Sequence, residues 1–138
     1  MSDDLLAFLR ARLAKDEQLA LAASPGPWRP DEEHDQVLAT DGIVVAEGFA
    51  LSGRQLRATV DHIARHDPVR VLVEARAKQQ LLDEHQDVND GSCGTCITPK
   101  WGYPTHGGSS PQAYPCATLR LLALPYADHE DYNEAWRP

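Results

Sequence analysis

Cys93, Cys96 and Cys116 are the only thiols in a chain of 138 residues, and all three lie in one stretch rich in Gly and Pro. Cys93-Gly94-Thr95-Cys96 separates two sulfurs by a single tight turn, so both can aim at one centre. Cys116 supplies a third soft ligand and a histidine a fourth, which is the donor set of a Cys₃His zinc site. His85 and His106 compete for the fourth position. His85 is preferred because the end of a helix would position it before metal arrives. His106, set between Thr105 and Gly107-Gly108, would depend on the metal for its order. The plainer alternative is a set of free thiols, with Cys116 a small buried hydrophobe.

Four protein ligands leave no position for water, so the expected zinc, one Zn²⁺ per chain, is structural. A redox C-x-x-C opens a helix after a strand, whereas this pair follows a helix inside a loop. Zinc deaminases place Glu two residues after the first ligand and Pro before the cysteine pair. Here Gln86 and Asp87 follow His85, and Ser92 precedes Cys93. No catalytic residue and no organic cofactor is assigned.

Two other groups could carry chemistry. His62 and His66 stand four residues apart on one helix face, a metal-binding spacing, but Ile63 occupies the place of the catalytic Glu of zinc hydrolases. With Asp61 or Asp67 they form the alternative of a hydrolase-like metalloenzyme. Arg54, Arg57, Arg65, Arg70, Arg76 and Lys78 hold six of the 13 basic residues, and two helices there raise the alternative of a nucleic-acid binder over 54–78. The connecting turn lacks the usual Gly and acids sit among the bases, so a solvated, salt-bridged surface is expected instead. Asp31-Glu32-Glu33-His34-Asp35 reads as a solvated loop.

The net charge of −8 disfavours phosphate backbones and anionic lipid as partners. No apolar run reaches the roughly 20 residues of a membrane helix. The acidic start Met1-Ser2-Asp3-Asp4 is unlike a secretory signal. The expectation is a cytoplasmic protein, where a reducing environment favours metal ligation over disulfides.

The elements that must position these residues follow from periodicity. A single domain over 1–138 is expected, α+β and mostly helical, with one β-hairpin and a zinc-stabilised C-terminal loop. The N-terminal helix spans 1–23, capped by Ser2 or Asp3, with Leu5, Leu9 and Leu13 on one face. The hairpin region is 28–50, where Asp41-Gly42 separates two β-branched runs and both residues tolerate positive φ. A helical pair covers 53–85. Leu56, Val60 and Ile63 form its first stripe. Asp67 suits the cap and Pro68 the first position of its second helix. The zinc loop and a C-terminal helix and tail occupy 85–138, with Thr118 capping a short helix that Pro125 ends or kinks. Trp28, Trp101 and Trp136 are candidate core or interface anchors.

Three stretches have a familiar sequence: Asp4-Leu5-Leu6-Ala7-Phe8-Leu9-Arg10, His62-Ile63-Ala64-Arg65-His66-Asp67-Pro68, and Tyr114-Pro115-Cys116-Ala117-Thr118-Leu119-Arg120-Leu121-Leu122-Ala123-Leu124-Pro125-Tyr126. Through them, over nearly its whole length, the chain resembles a family of small uncharacterised actinobacterial and actinophage proteins. The resemblance implies a His, a C-x-x-C pair and a later Cys acting together, here His85, Cys93, Cys96 and Cys116. It implies no activity. The expected role is therefore a zinc-binding interaction or accessory protein whose partner is another protein.

Overall fold

The computed structural model describes residues 2–88, 92–93, 96 and 115–138. His106 and Trp101 lie outside the described residues, as do the side chains of Ser2 and Asp3. The fold is α+β. Helices α1 (Ser2–Ala22), α2 (Gly53–Arg65), α3 (Pro68–Glu84) and α4 (Ala117–Ala123) accompany short strands β1 (Arg29–Pro30), β2 (Gln36–Leu38), β3 (Val44–Glu47), β4 (Asp87–Val88) and β5 (Ser92–Cys93). No helix among the described residues is long and apolar enough to cross a membrane. The contacts gather in two compact units, one of Met1–Ala14 with Ala77–Pro138 and one of Lys15–Arg76.

In the Lys15–Arg76 unit, β1, β2 and β3 form an antiparallel sheet in that order. Val37 of β2 and Val60 and Ala64 of α2 are buried together, with Trp28, Leu56 and Ile63 packed against them. The expected apolar stripe of α2 is thus the side that meets the sheet. The hairpin forms where Asp41-Gly42 places it, but its turn differs from the expected one. Only Gly42 has positive φ, at 82°. Gly42 N–H donates to Ala39 O at 3.0 Å, and Ala39 N–H donates to Ile43 O at 2.9 Å. That is a three-residue loop closed by glycine in the left-handed region, so Asp41 keeps ordinary backbone angles. Its carboxylate instead accepts the Ile43 N–H at 3.1 Å. β1 was not legible in the sequence, because two residues including a proline carry no alternation.

Asp67 joins two parts of this unit. Its Oδ1 accepts the Arg70 N–H at 2.9 Å, capping α3, and its Oδ2 accepts the Trp28 N–H at 2.9 Å. Asp67 is only 6% exposed, so removing its carboxylate leaves two backbone donors short of a partner. Asp67→Ala is expected to cost about 2–3 kcal/mol. Urea unfolding checks it, and Asp67→Asn should recover the cap but not the Trp28 contact.

In the other unit, Leu5, Phe8, Leu9 and Leu13 of α1 are buried with Leu82 of α3, Leu119 and Ala123 of α4, and Trp136. Four-residue spacing puts these α1 side chains on one helical face. The Phe8 ring is surrounded by Tyr126, His129, Tyr132 and Trp136, with centroid distances of 6.4, 5.6, 5.9 and 5.2 Å. The Arg12 guanidinium lies 5.7 Å from the Phe8 centroid and also meets His129 Nε2. Arg10 binds Asp83 at 2.9 Å, linking α1 to α3. The cap of α4 corrects the expectation of Thr118. Cys116 takes the cap position with extended backbone and no side-chain cap bond, and Thr118 is the second residue of the helix. Pro125 falls in a 3₁₀ turn, Leu124–Tyr126, that directly continues α4.

Candidate metal centre

Four segments of the C-terminal half bring His85, Cys93, Cys96 and Cys116 together. His85 follows the last residue of α3, and its N–H still donates to Leu81 O at 3.1 Å, so the helix fixes its direction. β4 and β5 then pair antiparallel, with Asp87 opposite Cys93. This return carries Cys93 back to the helix end that presents His85. Cys96 follows three residues later, and Cys116 stands immediately before α4.

His85 Nδ1 lies 3.3 Å from Cys93 Sγ, 3.7 Å from Cys96 Sγ and 3.4 Å from Cys116 Sγ. All four ligand atoms lie within 4.8 Å of one another. Metal–ligand bonds of about 2.3 Å to sulfur and 2.0–2.1 Å to nitrogen, at tetrahedral angles, require N···S edges of about 3.6 Å. The three observed edges bracket that value, consistent with a site for one ion. Cys93 and Cys116 are fully buried, His85 is 6% exposed, and Cys96 is partly exposed. Burial, then the neighbouring charge of Cys116 and the closeness of Cys93, push the Cys96 thiol up to about 12. Burial also raises the Cys116 thiol. Thiols crowded in this way resist ionising unless a cation shares the space, and a metal ion would supply that charge.

The structure therefore brings together His85, Cys93, Cys96 and Cys116, the set expected from the sequence. His62 and His66 are differently placed. Their rings lie 4.3 Å apart, and His66 Nδ1–H donates to His62 O at 2.7 Å. Asp61 takes His34 Nε2 at 2.7 Å, and Asp67 is committed to Arg70 and Trp28. Among the described residues, no third ligand gathers with the two histidines.

The basic stretch is partly salt-bridged. Arg70 pairs with Glu74 at 2.8 Å and Arg76 with Glu17 at 3.4 Å. In the acidic loop, Asp31 Oδ1 accepts the Asp35 and Gln36 N–H groups at 3.0 and 3.1 Å. Partial desolvation opposes its ionisation, but these donors outweigh it and hold Asp31 low. Desolvation and then the neighbouring Asp31 push Asp35 up.

The aromatic set around Phe8 went unrecognised in the sequence. Its members fall in a tail whose acidic composition masks them, and only the placement of Trp136 and Tyr132 near the end of the chain hinted at an anchor.

No curated protein and no solved structure matches the chain. A family model described as a family of unknown function, DUF6221, matches residues 2–138. With a match over essentially the whole length, the chain belongs to this family of unknown function.

Proposed function

We propose that the chain is a zinc-binding accessory protein that works by contact with another protein, and that its zinc is structural. The observation that carries this is the cluster of three sulfurs and one imidazole nitrogen, whose N···S edges have tetrahedral length. Thiolate-rich tetrahedral sites suit zinc, and four protein ligands leave no open position for a substrate. Bound zinc would supply a crosslink. It would tie the end of α3 to β5, to Cys96 and to the start of α4. A reducing, cytoplasmic setting would keep the thiols available for it. Large apolar side chains at the surface, among them Val73 at 63% and Leu121 at 55% exposed, favour an interaction role.

Native mass spectrometry with elemental analysis tests the metal. One zinc per chain, lost in His85→Ala and retained in His62→Ala, is the expected result. A second metal, or loss on His62→Ala, would replace the structural role with a hydrolase-like one. A tagged chain should recover a specific protein partner, and recovery of nothing above background counts against the interaction role.

Acid and alkali should act oppositely on the two forms of the protein. Zinc holds its thiolates deprotonated, so the zinc-bound fold carries fewer protons than the unfolded chain below the ordinary thiol pKa. Its stability should rise as pH increases toward that ordinary value. Without metal the order reverses. The Cys96 thiol moves from its ordinary value of 9.0 to about 12, so the fold carries more protons than the unfolded chain across that window. Metal-free protein should lose stability as pH rises through it. Thermal melts across pH, with and without chelator, check both slopes.

A further inference from the structure

The three sulfurs of the metal centre differ in what can reach them. Cys93 and Cys116 have no exposed surface and belong to the apolar cluster of Leu5, Leu9, Leu82 and Leu119. Cys96 is partly exposed and only packs against that cluster. A small oxidant arriving from solvent therefore meets Cys96 first. Oxidation selects a reachable thiolate that has a second thiol beside it. Both neighbours meet that condition, because all the ligand atoms lie within 4.8 Å of one another. From such a distance a side-chain rotation brings two sulfurs into bonding range.

The chain connection decides which neighbour closes. Only Gly94 and Thr95 separate Cys93 from Cys96, whereas Cys116 is joined to Cys96 through the long stretch rich in Gly and Pro. Cys116 also stands directly before α4 and moves with that helix. When the centre loosens, the short tether keeps Cys93 the nearer partner.

We propose that Cys96 is a site of oxidation by peroxides, and that Cys93 closes on it in a disulfide that unties α4 from α3. The inference rests on the zinc-binding reading above. The Cys96 thiolate attacks one oxygen of hydrogen peroxide. The O–O bond breaks, a sulfenic acid forms on Cys96, and hydroxide leaves. The Cys93 thiolate then attacks the Cys96 sulfur, which forms the S–S bond and expels a second hydroxide. Two sulfurs have together given two electrons to the peroxide. Two of the four donors are then spent. His85 and Cys116 remain, too few to hold the ion, so the crosslink from α3 to α4 is lost. A thiol reductant reverses the step by exchange with the disulfide. The pair thus acts as a switch on the crosslink and not as a catalytic dithiol, in keeping with its place after a helix.

Zinc analysis, peroxide treatment and peptide mapping of the full chain test the switch. The reduced chain is first analysed for zinc, then treated with one equivalent of hydrogen peroxide beside a chromophoric chelator. The expected result is loss of one zinc per chain and a disulfide contained within the tryptic peptide 79–100, which holds both Cys93 and Cys96. Amide exchange over Ala117–Ala123 should quicken at least about tenfold, and dithiothreitol with added zinc should restore the protection. Brief N-ethylmaleimide treatment of the zinc-loaded chain should label Cys96 before Cys93 and Cys116. A reduced chain that holds no zinc overturns the metal reading and the switch together. Four results overturn the switch alone and leave the zinc standing. They are zinc that stays bound after peroxide, a bridge from peptide 79–100 to peptide 101–120, which carries Cys116, amide exchange over α4 that does not change, and labelling that begins at a buried thiol or does not begin.

Discussion

Cys96→Ala and Cys116→Ala should each abolish metal binding and destabilise the unit of Met1–Ala14 and Ala77–Pro138 by about 5 kcal/mol or more. Structural zinc contributes apparent binding free energies of about 10–16 kcal/mol in small zinc-folded peptides. Whole domains are stable by only about 5–15 kcal/mol. A remaining core of Leu5, Leu9, Leu13, Leu82 and Leu119 offsets part of the loss, so residual helix should persist while fixed packing disappears. The pair of substitutions separates ligation from packing. Cys116 is fully buried, whereas Cys96 is partly exposed. If both were only small hydrophobes, trimming each sulfur would cost roughly 1 kcal/mol or less, and Cys96 would matter least. Ligation predicts equal and large effects. Thermal melts, near-ultraviolet circular dichroism and zinc analysis on both variants decide between the two, and unequal small effects would sink the metal centre.

Trp136→Ala is expected to cost about 3–5 kcal/mol, the range for deleting a large buried aromatic. Trp136 is 8% exposed, packs at 5.2 Å from the Phe8 ring and meets Tyr132 edge-on at 5.5 Å. The 3₁₀ turn Glu134–Trp136 that carries it is capped by Asn133, whose side chain accepts the Ala135 N–H at 2.9 Å. Losing the indole leaves Phe8 facing a void, and Phe8 anchors four rings at once. A tail lying on the surface would instead change stability by less than about 0.5 kcal/mol. Urea unfolding followed by the fluorescence of the remaining tryptophans tells these outcomes apart.

The His85, Cys93, Cys96 and Cys116 cluster was legible because metal chemistry restricts residue type and spacing more tightly than packing does. Three thiols and a helix-terminal His85 form a donor set that few roles besides ligation require. The boundary at Asp67-Pro68 was equally legible, since a cap and a proline at the first helical position are local signals, and α3 begins at Pro68. Leu5, Leu9 and Leu13 declared a face, although spacing alone did not name what it packs against. Other features depend on distant residues. Arg29-Pro30 becomes a strand only because β2 lies beside it. Thr118 has the chemistry of a cap, but the helix starts one residue earlier, directly after Cys116. The tail is acidic, and spacing could not decide whether Trp136 was a core or an interface anchor; it is core. Phe49 and Leu51 break the rule that large apolar residues are buried, and no local signal in the sequence announces it.

The division into units sets an order of events during synthesis. Lys15–Arg76 is continuous in sequence, so all partners of its internal contacts are available once Arg76 has left the ribosome. The other unit joins the first turns of α1 to residues as late as Trp136. At about 5–20 residues per second, the roughly 60 residues from Ala77 to Trp136 take some seconds to make. Throughout that interval Leu5, Phe8, Leu9 and Leu13 have no finished core to enter. These four side chains therefore wait for their native core until Cys116 and then Trp136 have been made.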